Sequence, residues 1–497
     1  MTDITLLPSV VDFLKQSHGQ YINGQHVKTS SSKSLEVFNP ATGEIIAHVH
    51  KATDAEIDAA VQAAHTAFHS TWADTSPMQR GDYLYKLAEL LQRDREILAQ
   101  IESLSSGKII QLSRFLEIDQ STQFLKYFAG WSSKISGETL NVSLPSFNKE
   151  KYSAFTLREP VGVVAGIIPW NFSIMIAIWK LAAALTCGCT IVLKPSEYTP
   201  LTLLKLVDLA KEAGIPDGVI NIVNGDGKEV GTRLITHKLV SKVSFTGSVA
   251  TGLIVGEQAM HSNLKRTTLE LGGKNGAAFL TDVSVETIVN GIIEAGFLNQ
   301  GQICAAAERF YIPNDLLPEV MDKLAVALGS MKIGSSLDET TQVGPLANKM
   351  QKEKVLSLIE KAKSEGNKII CGGHAIEGAG YFVAPTAILA NSTQDTLMKE
   401  ETFGPVGTLI GYDNENELIN MLNDSPYGLS ASLWTNDLSK AYRMIPKIEA
   451  GTLWVNMHTF LDPALPFGGV KASGIGREFG SAFIEYYTEL KSVMIRY

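Results

Sequence analysis

Between residues 161 and 245 the chain alternates short apolar runs with longer helical patterns, and that rhythm constrains the fold more than any other feature. Residues 161–168, 190–193 and 219–223 are near-continuous apolar runs, and 240–245 continues the series. A run that is apolar at every position suits a strand covered on both faces, which is the parallel arrangement. After the second run, Thr199 and Pro200 open a helix, Leu204, Leu206, Val207 and Leu209 carry it, and Gly214 and Pro216 close it. Strand, helix and strand in repetition make a parallel α/β unit. The second half repeats the style, with strands at 309–312, 368–370, 406–410 and 452–455 and helices near 315–328 and at 352–366. Two doubly wound parallel-sheet units in tandem are expected.

The first 130 residues read mainly as helices. Thr53, with Glu56 three residues on, forms a capping box, and Ile57, Ala60, Val61, Ala64 and Phe68 follow at helical spacing. Residues 80–102 keep the period through Leu84, Leu87, Leu90, Leu91, Ile97 and Ile101. Residues 1–35 are polar and irregular apart from an apolar run at 6–14. The polar segment 141–158 is extended, and 491–497 alternates like a strand. Neither has an obvious partner within one chain, so both are candidate edges paired in an oligomer.

Composition excludes several classes. Of 497 residues, 45% are apolar and 19% charged, enough to bury a large core, so wholesale disorder is out. The 43 Lys and Arg stand against 52 Asp and Glu with no basic block, which argues against a nucleic-acid surface or a polybasic membrane patch. The longest apolar stretch, 161–178, is broken by Gly162, Gly166, Pro169, Asn171 and Ser173 and is no membrane span. Met1, Thr2 and Asp3 put an acid before any base, unlike a signal peptide. Four cysteines make no disulfide framework, and a reducing cytoplasm is the simplest compartment.

Cys187, Cys189 and Cys371 sit in apolar or glycine-bearing passages and read as small buried hydrophobes. No Cys/His cluster has metal spacing, so no metal is expected. Cys304 differs. Gly301 just upstream allows close backbone approach, and Ala305 and Ala306 leave room for a substrate, which suits a nucleophile, although a lone cysteine is more often structural. Glu270 lies in an apolar strand ending in Gly272-Gly273, either paired structurally or held in a site with a raised pKa; the residues alone favour neither. Gly247 and Ser248 follow an apolar strand and open a helix, where backbone N–H groups suit a phosphate, or simply make a turn. Lys194-Pro195-Ser196-Glu197 ends a strand at the sheet edge where doubly wound folds bind ligands.

Together and in this order the motifs are specific. Pro169-Trp170-Asn171-Phe172, Lys194-Pro195-Ser196-Glu197, Phe245-Thr246-Gly247-Ser248, Glu270-Leu271-Gly272-Gly273-Lys274 and Gly301-Gln302-Ile303-Cys304 resemble motifs of the NAD(P)-dependent aldehyde dehydrogenase superfamily. So do Glu401-Thr402-Phe403-Gly404-Pro405, Trp454-Val455-Asn456 and Pro466-Phe467-Gly468-Gly469-Val470-Lys471, and the resemblance covers essentially the whole chain. Phe297-Leu298-Asn299-Gln300-Gly301-Gln302, Trp454-Val455-Asn456-Met457-His458-Thr459 and the ending Lys491-Ser492-Val493 look like the bacterial phenylacetaldehyde dehydrogenases.

The resemblance implies an α/β fold with a cofactor domain at 1–140 and 160–271, a catalytic domain at 272–487, and a small β oligomerisation domain at 141–159 and 488–497, assembled as a homo-oligomer, dimer or tetramer. It implies Cys304 as nucleophile, Glu270 as activator of the hydrolytic water, and Asn171 with the Cys304 backbone N–H as donors to the oxyanion. It implies NAD as cofactor, with Lys194 and Glu197 at the adenosine ribose and Gly247 and Ser248 at the pyrophosphate. Glu401 would meet the nicotinamide ribose, and Phe403, Trp170, Ile168 and Leu271 would line the same site. The tunnel would include Phe172, Ile176, Trp179, Phe297, Ile303, Thr459, Leu461 and Phe467, which suits an arylacetaldehyde such as phenylacetaldehyde or a medium aliphatic aldehyde. Three alternatives stand beside this reading: a semialdehyde or betaine aldehyde dehydrogenase marked by a counter-charge in the tunnel, a catalytically dead binding protein marked by loss of Cys304 or Glu270, and an unrelated Rossmann dehydrogenase marked by G-x-G-x-x-G. None of these marks stands out in the chain.

Overall fold

The structure, a computed structural model, describes residues 4–27 and 33–497. Met1, Thr2 and Asp3, on which the signal-peptide expectation rests, lie outside the described residues. The fold is mixed α/β and built on two large sheets. The first has eight strands in the order Gly474–Ile475, Arg266–Glu270, Val240–Thr246, Val163–Ile167, Thr190–Lys194, Ile220–Ile222, Gln20–Ile22, Gln25–Val27. Its five inner strands are parallel, and antiparallel strands close both edges. Val163–Ile167 and Thr190–Lys194 are buried at every position, as their unbroken apolar runs require. The connecting helix Ser173–Cys187 is likewise buried along its whole length and ends at Gly188, with φ of 89°.

Strand order reverses at Val163–Ile167, whose neighbours are Thr190–Lys194 on one side and Val240–Thr246 on the other. The carboxyl ends of these strands flank the crevice where doubly wound sheets hold ligands. The second sheet runs Lys368–Cys371, Thr386–Leu389, Val406–Tyr412, Ala307–Pro313, Asn275–Phe279, Ser430–Trp434, Thr452–Val455, parallel except for the first pair. Glu270 ends a strand of the first sheet and Asn275 begins one of the second, so the link between them passes directly through the region where the sheets meet.

The structure departs from the sequence expectations in several places. The segments read as orphan edges pair with each other: Tyr152–Pro160 runs antiparallel to Thr488–Arg496 over its full length, with Thr139–Leu140 on the other side. Contacts so distant in sequence leave no local signal. The N-terminal region carries strands as well as helices, including the hairpin Ser34–Phe38 with Ile45–His50. Residues 474–487, placed with 272–487 from the sequence, pack on the first sheet, where Gly474–Ile475 is the edge strand. The capping box at Thr53 and Glu56 forms, with the Thr53 N–H donating to Glu56 at 2.7 Å. Thr199, by contrast, does not cap its helix, which begins at Leu201 behind Pro200.

Candidate active site

Cys304 lies on a loop that precedes the strand Ala307–Pro313, and the loop is held from several directions. Asn299, Gln300 and Gly301 take left-handed backbone angles, with φ of 49°, 55° and 69°. A Cβ at Gly301 would stand 2.1 Å from the Gly404 carbonyl oxygen, so only glycine fits. Asn171 Nδ2 donates to the Gln302 carbonyl at 3.0 Å, and Asn275 Nδ2 donates to the carbonyls of Cys304 at 2.7 Å and Ala306 at 2.9 Å. The Ala305 carbonyl accepts from Ser430 Oγ at 2.9 Å and from His458 Nε2 at 2.7 Å. The sulfur is thereby presented from a backbone with almost no freedom to shift, which is how a positioned nucleophile is built.

The electrostatics around the sulfur are acidic. Burial first, then the neighbouring Glu270 and Glu401, push the Cys304 thiol up to about 12. Glu270 terminates the strand Arg266–Glu270 and is buried, and among the described residues neither of its carboxyl oxygens has a hydrogen-bond partner. Burial and then the nearby Glu478 carboxylate hold its pKa well above the carboxylate range, against the pull of Lys180 and Arg477. Lys180 and Glu478 form a buried ion pair at 3.0 Å, and Lys180 also donates to Ser244 Oγ at 3.0 Å. Glu401 accepts from the Gly273 N–H at 2.9 Å and is raised to about 7, mainly by burial. Among the described residues the charged groups that shift the Cys304 thiol are the carboxyls of Glu270 and Glu401, and neither favours a resting thiolate.

On one side of Cys304 lies an open cleft at the carboxyl edge of the first sheet. Ile168, Trp170, Lys194, Glu197, Gly247, Ser248, Leu271, Glu401 and Phe403 all line it, together with Asn171, Glu270 and Cys304. Lys194 is buried, donates to the Pro195 carbonyl at 2.9 Å and stands 3.7 Å from Glu197. Ser248 caps the helix Val249–Asn263 by accepting from the Thr251 N–H at 3.2 Å. Phe403, at φ of 55°, is held there by its N–H donating to Glu308 at 2.7 Å, and Trp170 meets its ring edge-on at 5.3 Å. A cleft lined by a Lys–Glu pair, a helix N-terminus and a carboxyl beside an aromatic pair has the groups that hold a dinucleotide. Tyr198, next to the Lys194–Glu197 motif, lines it too, as do Gln351 and Lys354 from a helix that carries no motif.

On the other side lies a narrow apolar cavity. Phe172, Ile176, Trp179, Ile303, Thr459, Leu461 and Phe467 line it with Cys304, and no charged side chain does. Phe297 does not line it. The helix Val285–Gly296 ends just before it, and its ring packs in the core of the second sheet beside Gly407 while Leu298 turns to the cavity. Leu116, Gln120, Phe124, Met175, Ala305 and Phe460 complete the wall. The wall is braced from behind: Glu117 accepts from the Met175 N–H at 2.9 Å, pairs with buried Lys108, and the Lys108 ammonium sits 4.0 Å from the Phe172 ring centroid. Cys187 and Cys189 are buried away from both cavities, and Cys371 packs at the edge of the second sheet.

Fold and site define a class: an α/β protein built on two large sheets, with one cysteine shared between a cleft at the carboxyl edge of the first sheet and an apolar cavity. The chain matches the aldehyde dehydrogenase family over residues 26–493, and it belongs to that family. It is 43% identical to a phenylacetaldehyde dehydrogenase of Pseudomonas fluorescens over 494 residues, 99% of this chain and 98% of that one. Among solved structures it is similar to the NAD+ complex of an aldehyde dehydrogenase from Bacillus cereus, with a TM-score of 0.96, 42% identity and 99% of both chains covered. It is also similar to a betaine aldehyde dehydrogenase of Staphylococcus aureus in complex with NAD+, with a TM-score of 0.94, 35% identity and 98% and 96% of the two chains covered. Among the described residues no helix is long and apolar enough to cross a membrane, and no group of three or more His, Cys, Asp or Glu side chains could hold a metal ion.

Proposed function

We propose that the protein oxidises an aldehyde to the carboxylic acid with NAD, and that an uncharged arylacetaldehyde, phenylacetaldehyde foremost, is its substrate. The observation that carries the reading is that Cys304 forms wall to both the cleft and the apolar cavity. A substrate carbonyl arriving through one meets the sulfur beside a cofactor lying in the other. Cys304 Sγ attacks the carbonyl carbon, its proton passing to the Glu270 carboxylate, and gives a thiohemiacetal. The oxyanion is received by the Cys304 N–H and by Asn171, whose amide carries a second N–H besides the one given to Gln302. When bound, NAD supplies the acceptor for the hydride that leaves this carbon. Glu270 then gives the thiol proton up to solvent and, ionised again, takes a proton from the water that attacks the thioester on Cys304; that proton passes to the leaving sulfur, releasing the free acid and the thiol. The unpartnered oxygens of Glu270 are free to take either proton in turn.

The uncharged lining sets the substrate class. A carboxylate or quaternary ammonium in the cavity would be stripped of water without a counter-charge, whereas an aryl or alkyl chain gains by burial. A screen of NADH formation with phenylacetaldehyde, hexanal, betaine aldehyde and succinic semialdehyde tests this. The first two are expected to exceed the charged pair in kcat/KM by about 100-fold or more; a charged aldehyde as the best substrate would overturn the assignment. Glu197 accepting from the adenosine ribose 2′-hydroxyl would repel a 2′-phosphate, so Glu197→Gln is expected to lower the NAD to NADP ratio of kcat/KM about tenfold. An unmoved ratio would mean that Glu197 does not reach the ribose.

Three organisational readings complete the proposal. The first sheet and its helices form the cofactor domain, the second sheet the catalytic domain, and the three-stranded sheet a bridging element, with 474–487 assigned to the cofactor side. Leu140, Leu157, Leu490 and Met494 on that small sheet are exposed apolar groups, which supports its burial between copies in a homo-oligomer. All four cysteines are free, in keeping with a reducing cytoplasm.

A further inference from the structure

His458 is the one histidine buried at the site, and nothing in the chemistry above uses it. It is fully enclosed, and its ring nitrogens have different partners: Nε2 lies 2.7 Å from the Ala305 carbonyl oxygen and Nδ1 2.7 Å from Ser432 Oγ. A carbonyl can only accept, so the ring proton is on Nε2. A neutral ring then leaves Nδ1 as an acceptor, and the Ser432 hydroxyl donates to it. Burial keeps the ring neutral, lowering its pKa to about 4. Ser432 Oγ in turn accepts from Trp434 Nε1–H at 3.1 Å. Every bond therefore points the same way, toward the residue after the nucleophile.

The direction continues through the backbone. The Ala306 N–H, in the same peptide as the Ala305 carbonyl, donates to the Ile303 carbonyl at 2.9 Å. The Ile303 carbonyl shares its peptide with the Cys304 N–H. A carbonyl that accepts a hydrogen bond polarises the N–H of its own peptide, and chains of such bonds reinforce one another in a dry interior.

We infer that His458, as a neutral Nε2–H imidazole, is a positioning residue that links Trp434 and Ser432 through the peptides of Ala305 and Ile303 to the Cys304 N–H, strengthening that N–H as a donor to the reacting oxygen. The role of the Cys304 N–H rests on the function proposed above; the direction of the chain rests on the partners of the two ring nitrogens and on the burial that keeps the ring neutral. His458 also anchors the Thr459–Phe460–Leu461 side of the apolar cavity to the Cys304 loop, so geometry and polarisation must be told apart by experiment.

Two variants separate them. In His458→Gln the amide nitrogen replaces Nε2 as a donor to Ala305, and in His458→Met the side chain fills similar space with no donor. With phenylacetaldehyde and NAD, His458→Met is expected to lose roughly tenfold in kcat with KM within about threefold of wild type, because an oxyanion donor is weakened and not removed. His458→Gln is expected to recover most of the loss. Equal kcat in the two variants, or a loss confined to KM, would overturn the inference. If either variant fails to fold, nitrogen NMR of the histidine ring in the wild-type chain decides: Nε2 protonated and Nδ1 bare is expected, and a proton on Nδ1 overturns it. A wild-type enzyme that oxidises no aldehyde would sink the proposed function but leave this tautomer result standing.

Discussion

Cys304→Ala is expected to lower aldehyde oxidation by roughly 10⁴-fold or more while NAD binding stays within a few-fold of wild type. The substitution removes one sulfur. The bonds that shape the loop go to the carbonyls of Gln302, Cys304, Ala305 and Ala306, and all of them survive it. The remaining cysteines offer no substitute. Cys187 and Cys189 are sealed within the core, the latter with its thiol directed to the Tyr487 carbonyl at 3.3 Å, and Cys371 belongs to the far edge of the second sheet. Alanine at any of these three is expected to keep turnover in folded protein. Steady-state NADH formation and NAD titration measure both halves of the expectation, and near-normal turnover in Cys304→Ala would remove the covalent mechanism.

Glu270→Gln has the second large effect, and its form is more informative than its size. Glutamine keeps the volume of the side chain but cannot accept a proton, and among the described residues the wild-type carboxyl has no hydrogen-bond partner whose loss could disturb the fold. Hydrolysis of the thioester is expected to fall by about 10²- to 10⁴-fold, the usual contribution of a general base. One equivalent of NADH then forms per site, followed by a slow steady state. The pH dependence follows from the raised pKa of Glu270. The base is the ionised form, present above that pKa, so the wild-type rate rises with pH as the carboxyl ionises and then levels. In Glu270→Gln that rise is lost from the hydrolytic step. If Glu270 also receives the thiol proton, the burst slows in the variant and partly recovers at high pH as Cys304 ionises unaided.

The parallel core was legible because its strands are long in Val and Ile and buried on both faces, as in Val163–Ile167 and Thr190–Lys194. Asn275–Phe279 and Ser430–Trp434 were not, although both are interior strands of the second sheet. Their residues are mostly small because neighbours press on them: a Cβ at Gly276 would lie 2.6 Å from Leu422 and 3.0 Å from Tyr311. That pressure is tertiary and writes no β-branched pattern into the chain. At the site, motif residues mark the cleft and the cysteine, and the structure brings Asn171, Glu270 and Cys304 to one place. Phe297 was misplaced by one residue, since the turn that follows Gly296 decides whether it or Leu298 faces the cavity. Lys180 and Glu478, and likewise His458 and Ala305, are distant in sequence and meet only through the fold.

The central claim is that an acyl group from the aldehyde rests on Cys304 and leaves through Glu270. Intact-protein mass spectrometry of Glu270→Gln, mixed with phenylacetaldehyde and NAD and quenched in acid after the burst, tests it most directly. The mechanism predicts a mass increase equal to one phenylacetyl group per chain, mapped by digestion to the peptide containing Cys304 and absent when NAD is omitted. An unmodified chain that nonetheless turns over at the wild-type rate, or an acyl group found on any residue other than Cys304, would contradict it.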